Sequence, residues 1–374
     1  MKILKYAART GIVLLFTVIL ILTALLGMIW ILSKGPSPEI SRLFVLTMNE
    51  TSAAKFVPYI FLSKDAVNEI ISSDNSGVQS DETVDVSLIM IPQKEKEPVT
   101  EPETQNPGNY EIPPEITYNK DSTEETAPPE IEETTPAEAD AEKDGDGIEI
   151  IYISGKTYKG VMMLVRDPSR VFIGIPPNGY GSGKYGLSVS NMIAHYGAAA
   201  GINGGGFNDP NGTGTGGIPD GIVIYDGELM WGDRNTAYSI VGFDENHILH
   251  VGNISAARAS ELNIKYATCF GPALIINEKA CNEKYPLGGG LNPRTAVGQK
   301  ADGTIMLLVV NGRQIDSIGA SYDDLIDIFL KHGAVNAGNL DGGSSSLMIY
   351  NGEYLNASAY IFGERTVPNA VLVK

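Results

Sequence analysis

From Gly11 to Leu32 the chain runs for 22 residues without a charge (GIVLLFTVILILTALLGMIWIL). At about 1.5 Å of rise per residue, a helix of that length spans the roughly 30 Å hydrocarbon core of a bilayer. Lys2, Lys5 and Arg9 precede it, and Trp30 stands near its far end, where interfacial aromatics gather. A cleaved signal peptide has a shorter apolar core of about 7–15 residues and a small-residue cleavage site. Here Ser33-Lys34-Gly35-Pro36 comes next, without such a site. The expectation is an uncleaved single-pass anchor over 11–32. The positive-inside rule puts residues 1–10 in the cytoplasm and the C-terminal domain outside the cell.

Charge divides the rest of the chain. The 374 residues carry a net charge of −18, yet residues 81–146 alone hold 20 acidic and 4 basic side chains, with nine prolines. Low hydrophobicity with like-sign charge cannot repay the entropy of ordering, so 81–146 reads as a solvated acidic Pro/Glu/Thr-rich linker. Residues 33–80 mix apolar and polar positions, and Pro58 interrupts the cluster FVPYIFL, as in a short helical juxtamembrane stalk. No basic patch marks a nucleic-acid surface. Two cysteines exclude a disulfide scaffold and a Cys-rich zinc site.

Residues 147–374 carry the folded domain. Short strand-like runs recur between Gly, Asn and Asp turns: 148–153, 161–165, 171–175, 221–225, 239–243, 273–276, 305–310, 335–339, 346–350 and 370–373. Tyr225-Asp226-Gly227-Glu228 is a hairpin signal. Two helices are expected, at 190–196 and 321–332, the second with Ser321 as N-cap and Gly333 as its stop. Many strands and few helices predict a strand-rich α+β domain with a mixed sheet, not a doubly wound one. Cys269 and Cys281 flank an apolar run; a disulfide between them and two buried thiols are both open readings.

Several tempting motifs fail. Gly181-Ser182-Gly183-Lys184-Tyr185-Gly186 fits G-x-G-x-x-G but comes after a turn, not a strand. None of the four histidines sits in a catalytic or zinc-like pattern, and Ser344-Ser345-Ser346 is no nucleophile elbow. What remains are four glycine-rich polar clusters, each ending an apolar run: 202–209 (INGGGFND), 292–298 (NPRTAVG), 311–313 (NGR) and 339–346 (NLDGGSSS). Polar groups on strand-end loops, with glycines permitting close backbone approach, build sites for polar ligands.

INGGGF, NPRTAVG, GRQIDSIGASYDDL and NLDGGSSS, in this order and spacing, resemble the phosphodiester glycosidase family over roughly residues 150–374. Many members read NLDGGGSST; Ser344 and Leu347 stand here for the third Gly and the Thr. Bacterial members are often linked to exopolysaccharide biosynthesis. The resemblance implies cleavage between a sugar anomeric carbon and a phosphodiester, of the N-acetylglucosamine-1-phosphodiester type. Ordinary glycosidases need two carboxylates because a sugar alkoxide leaves only when protonated. A phosphate leaves as an anion, so one carboxylate can suffice. Asp341 is then expected to be that nucleophile or base, and Arg294 the clamp on the departing phosphate. Asn203, Gly204, Gly205, Thr295, Asn311, Asn339, Gly342, Gly343, Ser345 and Ser346 are expected to bind substrate. Asp209, Asp167 and Glu364 are candidates for a second carboxylate. No cofactor is required, and a divalent cation near Asp341 and Asp209 is allowed by the residue types. The expected partner is an envelope polysaccharide or teichoic-acid-type glycan. The competing reading is a non-catalytic module that tethers such glycans through the same loops; a third is an enzyme that transfers the same bond.

Overall fold

The computed structural model describes residues 2–51, 54–74, 82–91, 142–143, 146–283, 287–357 and 363–374. Most of the expected linker, residues 92–141, lies outside them.

The expected strand-rich α+β fold is present. Among the described residues it comprises three sheets in which every strand pairing is antiparallel. The largest runs in the order Glu142–Lys143, Ile148–Ser154, Lys159–Val165, Ile305–Val310, Arg294–Lys300, Ala334–Leu340, Ala273–Ile276, Lys279–Ala280. A five-stranded sheet joins Glu228–Trp231, Val223–Tyr225, Ile264–Cys269, Ala237–Asp244 and Leu249–Ser255. The other joins Glu353–Tyr354, Met348–Tyr350, Ala200–Asn203, Ala370–Val373 and Val171–Gly174.

Alternating side chains sort these sheets into layers. Val161, Met163 and Val165 face Ile173, Ile202 and Val371 of one small sheet and Phe243 and Val251 of the other. Met162, Met306 and Leu308 point the opposite way, onto Leu325, Ile326 and Phe329 of a covering helix, Tyr322–Lys331. Ile305–Val310 is buried at all six positions because both of its faces are covered. Val189–Tyr196 covers the outer face of one small sheet and the short Ala256–Glu261 that of the other.

The hairpin at Asp226-Gly227 and the helices near 190–196 and 321–332 are where the pattern places them. The Tyr322 helix has a full capping box between Ser321 and Asp324. Several strands and one helix of the domain lie outside the expected runs, among them the two-residue strands Glu142–Lys143, Lys279–Ala280 and Glu353–Tyr354. Arg294–Lys300, read as a polar loop cluster, is a central strand, and Leu249–Ser255, Ile264–Cys269 and Ala200–Asn203 are strands too. The hidden helix is Ala256–Glu261.

N-terminal to the domain, α1 (Lys2–Lys34) contains the apolar run; its stretch Arg9–Lys34 is long and apolar enough to cross a membrane. After it come α2 (Pro38–Asn49), a 3₁₀ turn at Val57–Ile60 and α3 (Lys64–Ser72).

Candidate active site

Register brings the polar clusters together. Thr295 pairs with Leu340 and Arg294 with Val310, so Arg294, Asn311 and Asp341 emerge at one end of the large sheet. Asn203 pairs with Ala370, which brings Gly204 and Asn369 to the matching end of a small sheet. The two ends are bolted together: Asp341 N–H donates to Gly204 O at 3.0 Å, and Asn203 Nδ2 donates to Asp341 O at 2.6 Å. Asn203 Oδ1 accepts from Thr295 Oγ1 and from Leu347 N–H. Gly205 N–H donates to Asn369 Oδ1. The glycines are what allow the approach: a Cβ on Gly204 would lie 2.0 Å from Asn369 Oδ1, and one on Gly205 2.0 Å from Thr268 Oγ1.

Asp341 sits in this joint, partly open to solvent. Desolvation pushes its carboxyl up to about 7. The Ser345 hydroxyl and the Arg365 guanidinium pull the other way, and the Asp209 and Asp220 carboxylates add to the rise. Arg365 is held across the site. Its Nη2 is 2.9 Å from Asp209 Oδ1, its Nη1 donates to Ser344 Oγ at 3.1 Å, and the guanidinium lies over the Phe207 ring. Ser344 therefore helps to orient this arginine. Arg313, at φ +60°, presents Nη2 within 3.3 Å of where a Cβ on Gly343 would be, and donates to Asn292 Oδ1 and Thr51 Oγ1. Burial and neighbouring Arg294 lower its proton affinity, against the pull of Glu50 and Asp341.

The remaining candidates are distributed unevenly. Arg294 is buried: its Nε donates to Ala320 O and its Nη2 to Gly290 O and Glu50 Oε2, with Tyr322 stacked 4.0 Å away. Asn203 and Thr295 are committed to the joint itself. Asn339 Nδ2 donates to Gly271 O, while Asn339 Oδ1, Asn311 Oδ1 and Ser346 Oγ are buried without a hydrogen-bond partner among the described residues. Gly343 takes φ +61°, and a Cβ on Gly342 would meet Pro293 O at 2.7 Å. Asp209 lies in the site, bound to Arg365 and to Gly214 N–H. Asp167 does not: it caps the Pro168–Arg170 turn beyond Val165, which pairs with Ile305 at the opposite end of the sheet. Six residues of strand put it roughly 20 Å away. Glu364, though next to Arg365, accepts from Ser190 N–H and Tyr354 Oη. Cys269 and Cys281 are free thiols, both raised by burial. Among the described residues no group of three or more His, Cys, Asp or Glu is placed to hold a metal ion.

Three site residues escaped the sequence reading. Arg365 and Asp220 lie in turn-like stretches (FGERT, IPDG), and Arg313 was read as part of a loop cluster without a role. Asp220, raised by burial, donates its N–H to Gly206 O. Beside it opens a cleft of about 660 Å³ lined by Pro219, Gly221, Leu229, Trp231 and Tyr238 among others. Trp231 Nε1 donates to Pro219 O, which fixes the indole plane, and Tyr180 packs edge-on against it.

A carboxylate of raised proton affinity thus faces arginines at the end of a sheet on a strand-rich α+β domain. Residues 196–374 match the family model for phosphodiester glycosidases. The chain is 27% identical over 219 residues to bovine (Bos taurus) N-acetylglucosamine-1-phosphodiester alpha-N-acetylglucosaminidase, covering 54% of this chain and 41% of that protein. It is 31% identical over 144 residues to the SPbeta prophage-derived protein YomE of Bacillus subtilis, covering 37% of this chain and 22% of that protein. The chain thus spans less than half the length of these curated relatives. The catalytic domain of the zebrafish N-acetylglucosamine-1-phosphodiester alpha-N-acetylglucosaminidase aligns with a TM-score of 0.49 at 22% identity, over 60% of this chain and 81% of that one. These matches are a likeness to phosphodiester glycosidases, at low identity and over the C-terminal part of the chain.

Proposed function

We propose that the chain is a membrane-anchored hydrolase that cleaves the sugar-1-phosphodiester bond of envelope glycans, with its C-terminal domain outside the cell. The observation that carries this reading is Asp341: a carboxylate poised near neutrality, beside two arginines, at the joint of two sheets. In the proposed reaction Asp341 takes a proton from water as that water attacks the anomeric carbon. A carboxylate whose proton affinity matches the working pH suits a general base. The bond from the anomeric carbon to the phosphate oxygen breaks, and its electron pair leaves with the phosphate. The products are a free sugar and a phosphomonoester. The leaving phosphate has a second pKa of about 6, so no acid need protonate it. Arg365 and Arg313 stabilise the charge that develops there, and bidentate guanidinium contacts suit that task. Arg294 acts from behind, holding the 288–294 loop. The ring faces of Trp231 and Tyr238 suit a sugar of an extended polysaccharide or teichoic-acid-type chain.

The test incubates the full chain in detergent with an N-acetylglucosamine-1-phosphodiester and tracks free sugar by mass spectrometry, beside Asp341→Asn. Release abolished by the variant is expected. Glycan binding without release in either protein moves the reading to a tethering module. Release by both keeps the hydrolase and removes Asp341 from its centre. Proton NMR of the first product reports the anomer: inversion fits a base on water, whereas retention requires Asp341 to bond the sugar.

A further inference from the structure

The segment after α1 is docked on the domain at one end and bare at the other. At the docked end, three successive amides of the 288–294 loop are capped by it. Gly289 N–H donates to Asp74 Oδ1, Gly290 N–H to Glu50 Oε1 at 2.8 Å, and Leu291 N–H to Thr47 Oγ1 at 2.9 Å. Glu50 Oε2 also takes Asn292 Nδ2 and Arg294 Nη2. The fit is close: a Cβ on Gly290 would lie 2.3 Å from the Thr47 backbone.

At the other end, the segment folds back on α1. Ile29 and Ser33, one turn apart, are buried near the end of that helix, whose residues 9–28 are exposed. Ser41 Oγ donates to Ser33 O, and the 3₁₀ turn Val57–Ile60 packs on α1 with Pro58 inward. Ile29 and Ser33 bracket Trp30, so the covered part of α1 is at the far end of its apolar run. There Phe56 (66% exposed), Tyr59 and Ile60 present apolar and aromatic surface, beside exposed Lys55 and Lys64. Aromatic rings at the depth of a span's end, flanked by lysines, are the composition of a membrane interface.

We infer that Phe56, Tyr59 and Ile60 form a second membrane contact, seated in the headgroup layer of the leaflet where α1 ends. The occupant is lipid, because the turn packs on a helix long and apolar enough to cross a membrane, with Trp30 and Ile31 exposed at its end, and the patch carries cations for anionic headgroups. The docked loop precedes Arg294 and Arg313, so the seat fixes the candidate site at the membrane surface instead of leaving it on a free tether. This inference rests on α1 spanning a bilayer and is independent of the chemistry proposed above.

The test reconstitutes the full chain in phosphatidylcholine–phosphatidylglycerol vesicles. A bimane label is placed at Phe56→Cys in a Cys281→Ala background, Cys269 being buried. The expected result is blue-shifted emission, quenched at least twofold by lipids brominated near the headgroup and less by lipids brominated at the chain end. A second label at Tyr59→Cys guards against a local defect at position 56 and is expected to behave alike. Water-like emission without quenching at both sites, in protein that floats with the vesicles, overturns the seat. Shielding that disappears on dilution of protein into lipid also overturns it, in favour of a second copy. Protein that does not float with vesicles removes the anchor and the seat together.

Discussion

Two arginine corners flank Asp341, and they look alike. Arg294 stacks on Tyr322 and pairs with Glu50 at 2.7 Å; Arg365 stacks on Phe207 and pairs with Asp209 at 2.9 Å. The difference is where the remaining donors go. Those of Arg294 end on backbone carbonyls of Gly290 and Ala320, behind the site, and its carboxylate partner comes from the juxtamembrane segment. Arg365 reaches Ser344, in the loop that carries Asp341, and its charge acts on Asp341 itself. A buried ion pair thus says little about role by itself; the groups the rest of the guanidinium serves decide it.

The largest effect is expected at the group between the corners. Asp341→Asn should lower turnover by about 10³-fold while leaving glycan binding within a few-fold, measured by sugar release and by titration. The same residue sets the pH response. As a base it works deprotonated, so kcat is expected to rise with pH to a plateau above about 7, and the residual rate of Asp341→Asn to lack that rise. Stability runs the other way. The folded carboxyl holds its proton up to about 7 whereas the unfolded one loses it near 4, so the folded state binds more protons between those values. Its contribution to stability therefore falls as pH rises through that window. Asp341→Asn should melt higher than the parent above pH 7 and nearly level with it at pH 4, by thermal denaturation. A kcat that falls instead of rising through pH 7 would make Asp341 an acid.

The two corners are separated by paired substitutions. Arg365→Met is expected to cut kcat/KM by about 10²-fold, the usual scale for one charge-stabilising donor. Arg294→Met should instead cost about 3 kcal/mol of stability, by leaving Glu50 beside an apolar group, with kcat/KM of the folded fraction nearly unchanged. Denaturant titration and initial rates on both variants check the pair. A larger kinetic loss at Arg294 would restore it as the phosphate clamp and make Arg365 the brace.

The architecture was largely legible in the sequence and the site only half so, for physical reasons. Runs such as Ile305–Val310 and the capped helix after Ser321 declare themselves by pattern, because burial and capping act locally. Arg294–Lys300 did not. RTAVGQK carries polar residues at positions that are fully buried, since Thr295 and Gln299 are satisfied by Asn203, Leu249 and other distant groups. Tertiary hydrogen bonds overrode the local reading. The same holds for function: Asp341 and Asp209 could be singled out from glycine-rich loops, but Arg365 and Asp220 join them only through strand register. Asp167 and Glu364 show the converse, since a plausible carboxylate becomes a cap when its neighbours are a turn and a helix start.

The smallest expected effect gives the sharpest test of the comparison. Glu50→Gln keeps the side chain's length and an oxygen for Gly290 N–H, but removes the charge beside Arg294. The variant leaves the buried Arg294 without its counter-charge, while the quarter exposure of position 50 lets solvent screen part of the loss, so the cost should be about 2 kcal/mol. Because Glu50 belongs to the juxtamembrane brace and not to the reacting groups, kcat and KM should stay within twofold, read by sugar release on the full chain. If turnover instead fell as far as in Arg365→Met, the charge balance of the Arg294 corner would be coupled to the chemistry. The coupling would run through Arg313, which feels Arg294, Glu50 and Asp341 together. The double variant Glu50→Gln/Arg313→Lys separates these cases: additive losses keep the corners independent, and a non-additive result makes them one electrostatic unit.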